Sequence, residues 1–183
     1  MVATGHNVMV EAAIAAIHDV GASGVTVAAV ADRAGVDRDD AAVEFPTEHA
    51  LLVATLATLV DEWTRATEPE EGTDPAEALR ATISAMFSPV MFTDTRVTAW
   101  LSLSALASTD PELRALRERA QRSWVDQMAR SLSAARIDRP NDRAIALLAM
   151  ADGLWLRYSL EPTALTRLVA EDIALDIVDQ LLV

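Results

Sequence analysis

Apolar residues recur along nearly the whole chain at the three- and four-residue spacing of a helix, and the two-residue alternation of a strand is absent. The first such stretch, residues 8–20, sets Ala12, Ile14, Ala15, Ile17 and Val20 on one stripe, and Gly21 stops it. A second helix opens at Thr26, turns Val27, Val30 and Ala31 inward and ends at Gly35. Asp37 is a natural N-cap for a third, and Thr47 for a fourth that carries Leu51, Leu52, Leu56, Leu59 and Trp63 to about Thr67.

The acidic stretch EPEEGTD, residues 68–74, reads as a linker because Pro69 and Gly72 break the pattern. Pro75 then takes the first position of a fifth helix that reaches about Ser88, and a sixth covers 94–108. Asp110, Pro111 and Glu112 supply a cap, a first-turn proline and a first-turn acid for a long seventh helix to about Ala135. Residues 138–141 form a turn, an eighth helix follows over 142–160, and Pro162 opens a ninth. Asp152-Gly153 is a turn by local rules, yet the apolar pattern continues across it. The expectation is an all-α protein of nine helices.

Composition narrows the function. The chain has 183 residues, is 51% hydrophobic, and carries no Cys, which excludes disulfides, thiol catalysis and thiolate metal sites. No G-x-S-x-G elbow, phosphate-binding glycine loop or His-rich metal spacing is present, so neither an enzyme nor a metal or organic cofactor is expected. No apolar run approaches the ~20 residues of a membrane helix, and the N-terminal MVATGHNVMVEAA lacks the build of a signal peptide. A cytoplasmic location fits.

Residues 34–51, AGVDRDDAAVEFPTEHAL, have the spacing of a DNA-reading helix-turn-helix: a turn on Ala34-Gly35-Val36, a short helix, and Phe45 closing it. Their charge has the wrong sign for DNA. Residues 1–50 hold eight acids (Glu11, Asp19, Asp32, Asp37, Asp39, Asp40, Glu44, Glu48) against Arg33 and Arg38, a net −6 within a chain of net charge −13.

Gly21, Val25-Thr26-Val27, Val30-Ala31, Ala34-Gly35-Val36, Phe45 and Leu51-Leu52 resemble the N-terminal signature of the tetracycline-repressor (TetR) family. The stretches WLSLSALASTDPELRALR, residues 100–117, and DGLWLRYSL, residues 152–160, are similar to its choline-responsive BetI branch. The resemblance implies a three-helix DNA-reading domain over 1–46 and an effector-binding, dimerising domain over 47–183. It also implies a homodimer that answers a small molecule by changing its grip on operator DNA.

By that resemblance the DNA-facing candidates are Thr26, Arg33, Arg38, Asp39, Ala42, Thr47 and Glu48. Asp39 stands where the family pattern has Gly, Ala42 where it has Tyr, Glu44 where it has an aromatic or His, and Glu48 where it has Lys. Affinity for DNA comes largely from cations that neutralise phosphates, and each like-charge pair at ~4 Å costs about 1 kcal/mol even in water. The same acids stabilise the helix N-termini on which they sit. Two readings of the head therefore stay open. In one it binds an operator through unusual contacts. In the other it keeps the fold, loses direct DNA binding and acts through a ligand or protein partner.

The large, soft side chains concentrate in helices five to eight. Met86, Phe87, Met91, Trp100, Leu103, Trp124, Met128, Trp155 and Tyr158 are the candidate pocket. Trp100, Trp124, Trp155 and Tyr158 would offer faces to a quaternary amine, with Asp126 or Asp152 as counter-charge; ordinary core packing is the alternative for each residue taken singly, and a pocket among these helices is expected. Leu147, Ala151 and Leu154 of helix eight and Leu168, Ile173, Ile177 and Leu181 of helix nine are the candidate dimer face, by analogy with an intersubunit four-helix bundle.

Overall fold

A computed structural model describes residues 5–182. Among them every regular element is helical: α1 Gly5–Val20, a 3₁₀ turn Ala22–Gly24, α2 Val27–Ala34, α3 Arg38–Glu44, α4 Glu48–Thr67, α5 Pro75–Met86, α6 Asp94–Leu106, α7 Pro111–Ala134, α8 Pro140–Leu160 and α9 Arg167–Leu181. The boundaries follow the caps. Thr26 accepts from the Ala29 N–H at 3.2 Å, Thr47 from Ala50 at 3.0 Å, and Asp74 from Ala76 at 2.9 Å. Asp110 accepts from the Glu112 and Leu113 N–H groups at 3.0 and 2.9 Å. These are the orphan donors of helix first turns. Gly35 takes the left-handed conformation at φ 66° that closes α2, with the Val36 N–H donating to Ala31 O.

Three details differ from the sequence pattern. The eighth helix starts at Pro140, inside the stretch read as a turn, because proline suits the first helical position. The ninth helix starts at Arg167, not Pro162: the Ala164 and Leu165 N–H groups both turn back to Glu161 O, and Thr166 supplies the cap by accepting from Val169. The stripe of α1 is also rotated. Met9, Val10, Ala13, Ile14, Ala16 and Ile17 are buried, whereas Val20 is 59% exposed; both α2 and α6 pack on α1, which widens the covered face to take in Ala13 and Ala16. Helix α8 runs unbroken through Asp152-Gly153.

The described residues gather into two compact units. One comprises those up to Asp61 together with Asp94–Arg117. In it α1 packs on α2, α3 and α6 around Ile14, Ile17, Val30, Phe45, Leu51 and Leu103. The other comprises Glu62–Thr93 with the residues from Glu118 onward, where α9 packs on α5 and α8 and the core holds Leu79, Ile83, Phe87, Leu132 and Leu147. Helices α4 and α7 each belong to both units in sequence.

Candidate nucleic-acid interface and effector pocket

Helices α2 and α3 with their turn form the helix-turn-helix. Ala41 and Phe45 anchor α3 inward, and Arg38, Asp39, Asp40, Ala42, Val43 and Glu44 are exposed. The Asp37 carboxylate caps the helix by accepting from the Asp39 N–H at 2.8 Å and Asp40 at 3.3 Å.

Neither arginine of this head is free. Arg33 donates to Asp19 at 2.6 Å. Arg38 holds Asp32 with two donors, its Nε at 2.8 Å from Oδ1 and a terminal nitrogen on Oδ2. That grip keeps the Asp32 carboxyl below the usual carboxylate range, mainly by hydrogen bonding, and raises the Arg38 guanidinium in turn. His6 meets Glu44 at 2.8 Å and lies against Phe45. The carboxylates of Asp39, Asp40 and Glu48 have no partner among the described residues. Thr26 and Thr47 are exposed, and each is committed to a helix cap. Val43, 85% exposed, escaped the sequence reading, although counting helical phase from the inward Ala41 would have placed it outward.

His49, at the start of α4, contacts Asp110 at 3.0 Å and Glu112 at 3.7 Å, across the first turn of α7. The Asp110 carboxyl is held below its ordinary value. The Leu113 N–H is the largest cause, opposed by partial burial and aided by His49 and the Glu112 N–H.

The pocket candidates fall into three groups. Trp100 and Leu103 are buried in the first unit, where the Arg117 guanidinium covers the Trp100 ring at 4.4 Å and donates to Ser104 at 3.1 Å. In the second unit Phe92 gathers one aromatic cluster: Phe87 at 5.3 Å, Tyr158 at 4.4 Å and Trp155 edge-on at 5.7 Å between ring centroids. Met91 is also buried in this unit.

A second cluster pairs Trp63 with Trp124 at 3.9 Å, and Trp124 Nε1 donates to the Thr64 hydroxyl at 2.8 Å. Trp63, Trp124, Met86, Met128 and Leu148, with Thr67, Thr82 and Gln127, line an inner pocket of only about 10 Å³. Of Trp124, Trp155 and Tyr158 in the second unit, Trp124 lines this pocket and the other two pack on Phe92, and Asp126 and Asp152 are exposed. Sequence reading missed Trp63, Thr67, Thr82 and Gln127. The polar three sit on helix faces where a threonine or glutamine carries no signal of burial.

Along α8, Leu147, Ala151 and Leu154 point into the core of their own unit. The apolar residues that α8 exposes are Ile145, Leu156 and Leu160, and α9, packed beside it, exposes Leu168, Val169, Ile173 and Ile177; Leu181 is half-buried. No group of three His, Asp or Glu among the described residues could hold a metal, and no single helix there is long and apolar enough to cross a membrane.

Comparison with known proteins bears on both halves of the chain. Residues 75–183 match the family described as BetI-type transcriptional repressor, C-terminal. The HTH-type transcriptional regulator BetI of Burkholderia mallei (strain NCTC 10229) is 30% identical over 181 residues, covering 95% of this chain and 91% of that protein. A transcriptional regulator from Rhodococcus sp. RHA1 superposes with a TM-score of 0.86 at 27% identity, covering 98% of this chain and 96% of that one. A regulator from Saccharomonospora viridis, solved in complex with choline, shares the fold at a TM-score of 0.80 and 17% identity, covering 95% of each chain. The helix-turn-helix geometry and these matches agree: the chain belongs to the TetR family of transcriptional regulators, in its BetI-type branch.

Proposed function

We propose that the protein is a cytoplasmic, ligand-responsive repressor that binds operator DNA as a homodimer through residues 1–46 and senses a small effector within residues 47–183. The observation that carries this reading is the union in one chain of an exposed reading helix, α3, with an aromatic pocket around Trp63 and Trp124. Choline, bound by the structural relative from Saccharomonospora viridis, fits the chemistry of that pocket. Indole faces attract a quaternary ammonium, and the polar groups of Thr67, Thr82 and Gln127 suit a hydroxyl. The apolar stripe of Ile145, Leu156, Leu168 and Ile173 on α8 and α9 supports dimerisation; a two-fold partner would cover it. Effector and operator would then be linked by a coupling free energy, each changing the affinity for the other.

The test is fluorescence anisotropy of labelled upstream DNA at ~50 mM salt, where electrostatic attraction is strong, with choline titrated in. Binding that weakens with salt and shifts with choline supports the proposal. No binding to upstream or random DNA refutes its operator half and leaves a TetR-fold module acting through a ligand or protein partner.

A further inference from the structure

The inner pocket is almost closed, and two of the three side chains that close it donate to a single atom. About 10 Å³ holds no more than one water. Outside it, two open clefts of about 370 Å³ each lie beneath the 68–74 linker. One is walled by Pro69, Pro75, Ala134 and Arg130; the other by Ala66, Ala81 and Thr73. Gln127 is the side chain that lines both the inner pocket and the first cleft, and Thr67 and Thr82 line both the inner pocket and the second. The partition between outside and inside therefore consists of three side chains.

Two of the three, Gln127 and Thr82, converge on the Thr67 carbonyl. Gln127 Nε2 donates to it at 2.6 Å and the Thr82 hydroxyl at 3.2 Å. The Thr67 hydroxyl itself is turned away, donating to Trp63 O at 2.9 Å. This carbonyl ends α4 and has no amide of its own helix to accept from, so α7 and α5 supply its donors. Thr67 and Thr82 are buried and short, whereas Gln127 is half-buried and has three rotatable bonds. Of the three, Gln127 is the one that can swing into the first cleft without moving backbone.

We infer that Gln127 is the gate of a ligand path from the cleft under the 68–74 linker to the Trp63–Trp124 pocket, latched shut by its hydrogen bond to the Thr67 carbonyl. A small neutral or cationic molecule suits the path. Beyond the gate the lining has no cation to receive an anion, and the outer cleft carries Glu68 and Glu70 as well as Arg130. The inference deepens the effector reading and rests on it for the natural ligand, but the gate itself can be examined with no effector present.

The experiment is acrylamide quenching of tryptophan fluorescence, run with Trp100→Phe and Trp155→Phe so that Trp63 and Trp124 supply the emission, and repeated in the chain with all its tryptophans. With Gln127 intact, quenching is weak and flat between pH 4 and 8. Gln127→Leu, which cannot donate, raises the quenching constant at least threefold at every pH. Gln127→Glu keeps the size. Its protonated carboxyl donates to the Thr67 carbonyl, whereas its carboxylate cannot, so quenching is weak at low pH and rises as the group ionises above ~4.3. The low-pH arm doubles as a control for folding. If Gln127→Leu quenches like its parent and Gln127→Glu shows no pH dependence, the gate is refuted, whatever choline does. If quenching responds while choline fails to bind, the gate stands and the effector reading falls.

Discussion

Arg38 grips Asp32 with two N–H donors on one edge of its guanidinium, across the turn between α2 and α3. The only arginine on the reading helix is thereby spent inside the head. Replacing Asp32 with Asn removes the acid that holds it. Affinity for random-sequence DNA should rise severalfold, and the plot of log affinity against log salt should steepen by about 0.9 for the one phosphate contact recruited. Anisotropy titrations at several salt concentrations read both. An unchanged slope would mean that Arg38 does not reach the duplex even when released.

Asp39 and Glu48 are exposed and lack partners among the described residues, so they can be exchanged with little cost to the core. The double change Asp39→Gly, Glu48→Lys shifts the head by +3 charges. Non-specific binding should appear or strengthen at least tenfold at ~50 mM salt, where an added phosphate contact is least screened. If a gel shift shows no gain, repulsion from these carboxylates does not govern DNA affinity.

The depressed Asp110 carboxyl gives the fold an acid-sensitive element. Because its folded value lies below the unfolded one of about 3.9, its contribution is complete above that value and is lost as pH falls through the lower folded value. Asp110→Asn keeps a competent cap but removes the charge facing His49. Urea titrations should show the variant less stable than the parent at pH 6, with the gap closing below pH 4. A gap independent of pH would assign the loss to shape rather than charge.

Arg136 occupies the left-handed position that ends α7, at φ 61°, with its own N–H on Ser133 O and the Ile137 N–H on Leu132 O. Glycine is preferred at such a position because a Cβ strains it. Arg136→Gly should stabilise the protein by about 0.5–1 kcal/mol, the strain relieved exceeding the added freedom of the unfolded chain. Chemical denaturation measures it; a loss of stability would mean that the exposed guanidinium makes contacts worth more than the strain.

The helices were legible because their signals are local. Thr26, Asp37, Thr47 and Asp110 start their helices where the sequence places them, Pro75 sits in the first turn of α5, and Gly35 closes α2. Pro162 misled because proline permits a first helical turn without compelling one, and Thr166 offered the better cap four residues on. The acidic head was readable as composition, but its internal ion pairs were not: Arg33–Asp19 joins α2 to α1 across fourteen residues. The pocket was read as one aromatic group because periodicity reports that a residue is inward, not which neighbours it meets. Leu147, Ala151 and Leu154 failed as outward residues for the same reason. An apolar stripe looks alike whether its own chain or a second copy covers it, and in α8 the chain's own core took the larger stripe.

Under the proposed homodimer, the residues left uncovered on α8 and α9 would tie stability to mass action. Leu160 and Leu168 are among the most exposed large apolar side chains described, at 70% and 59%. If a second copy shields that stripe, pairing stabilises the folded chain, and dilution draws on the same free energy as heat. Thermal midpoints recorded at 1 and 100 µM would then differ, the concentrated sample melting higher.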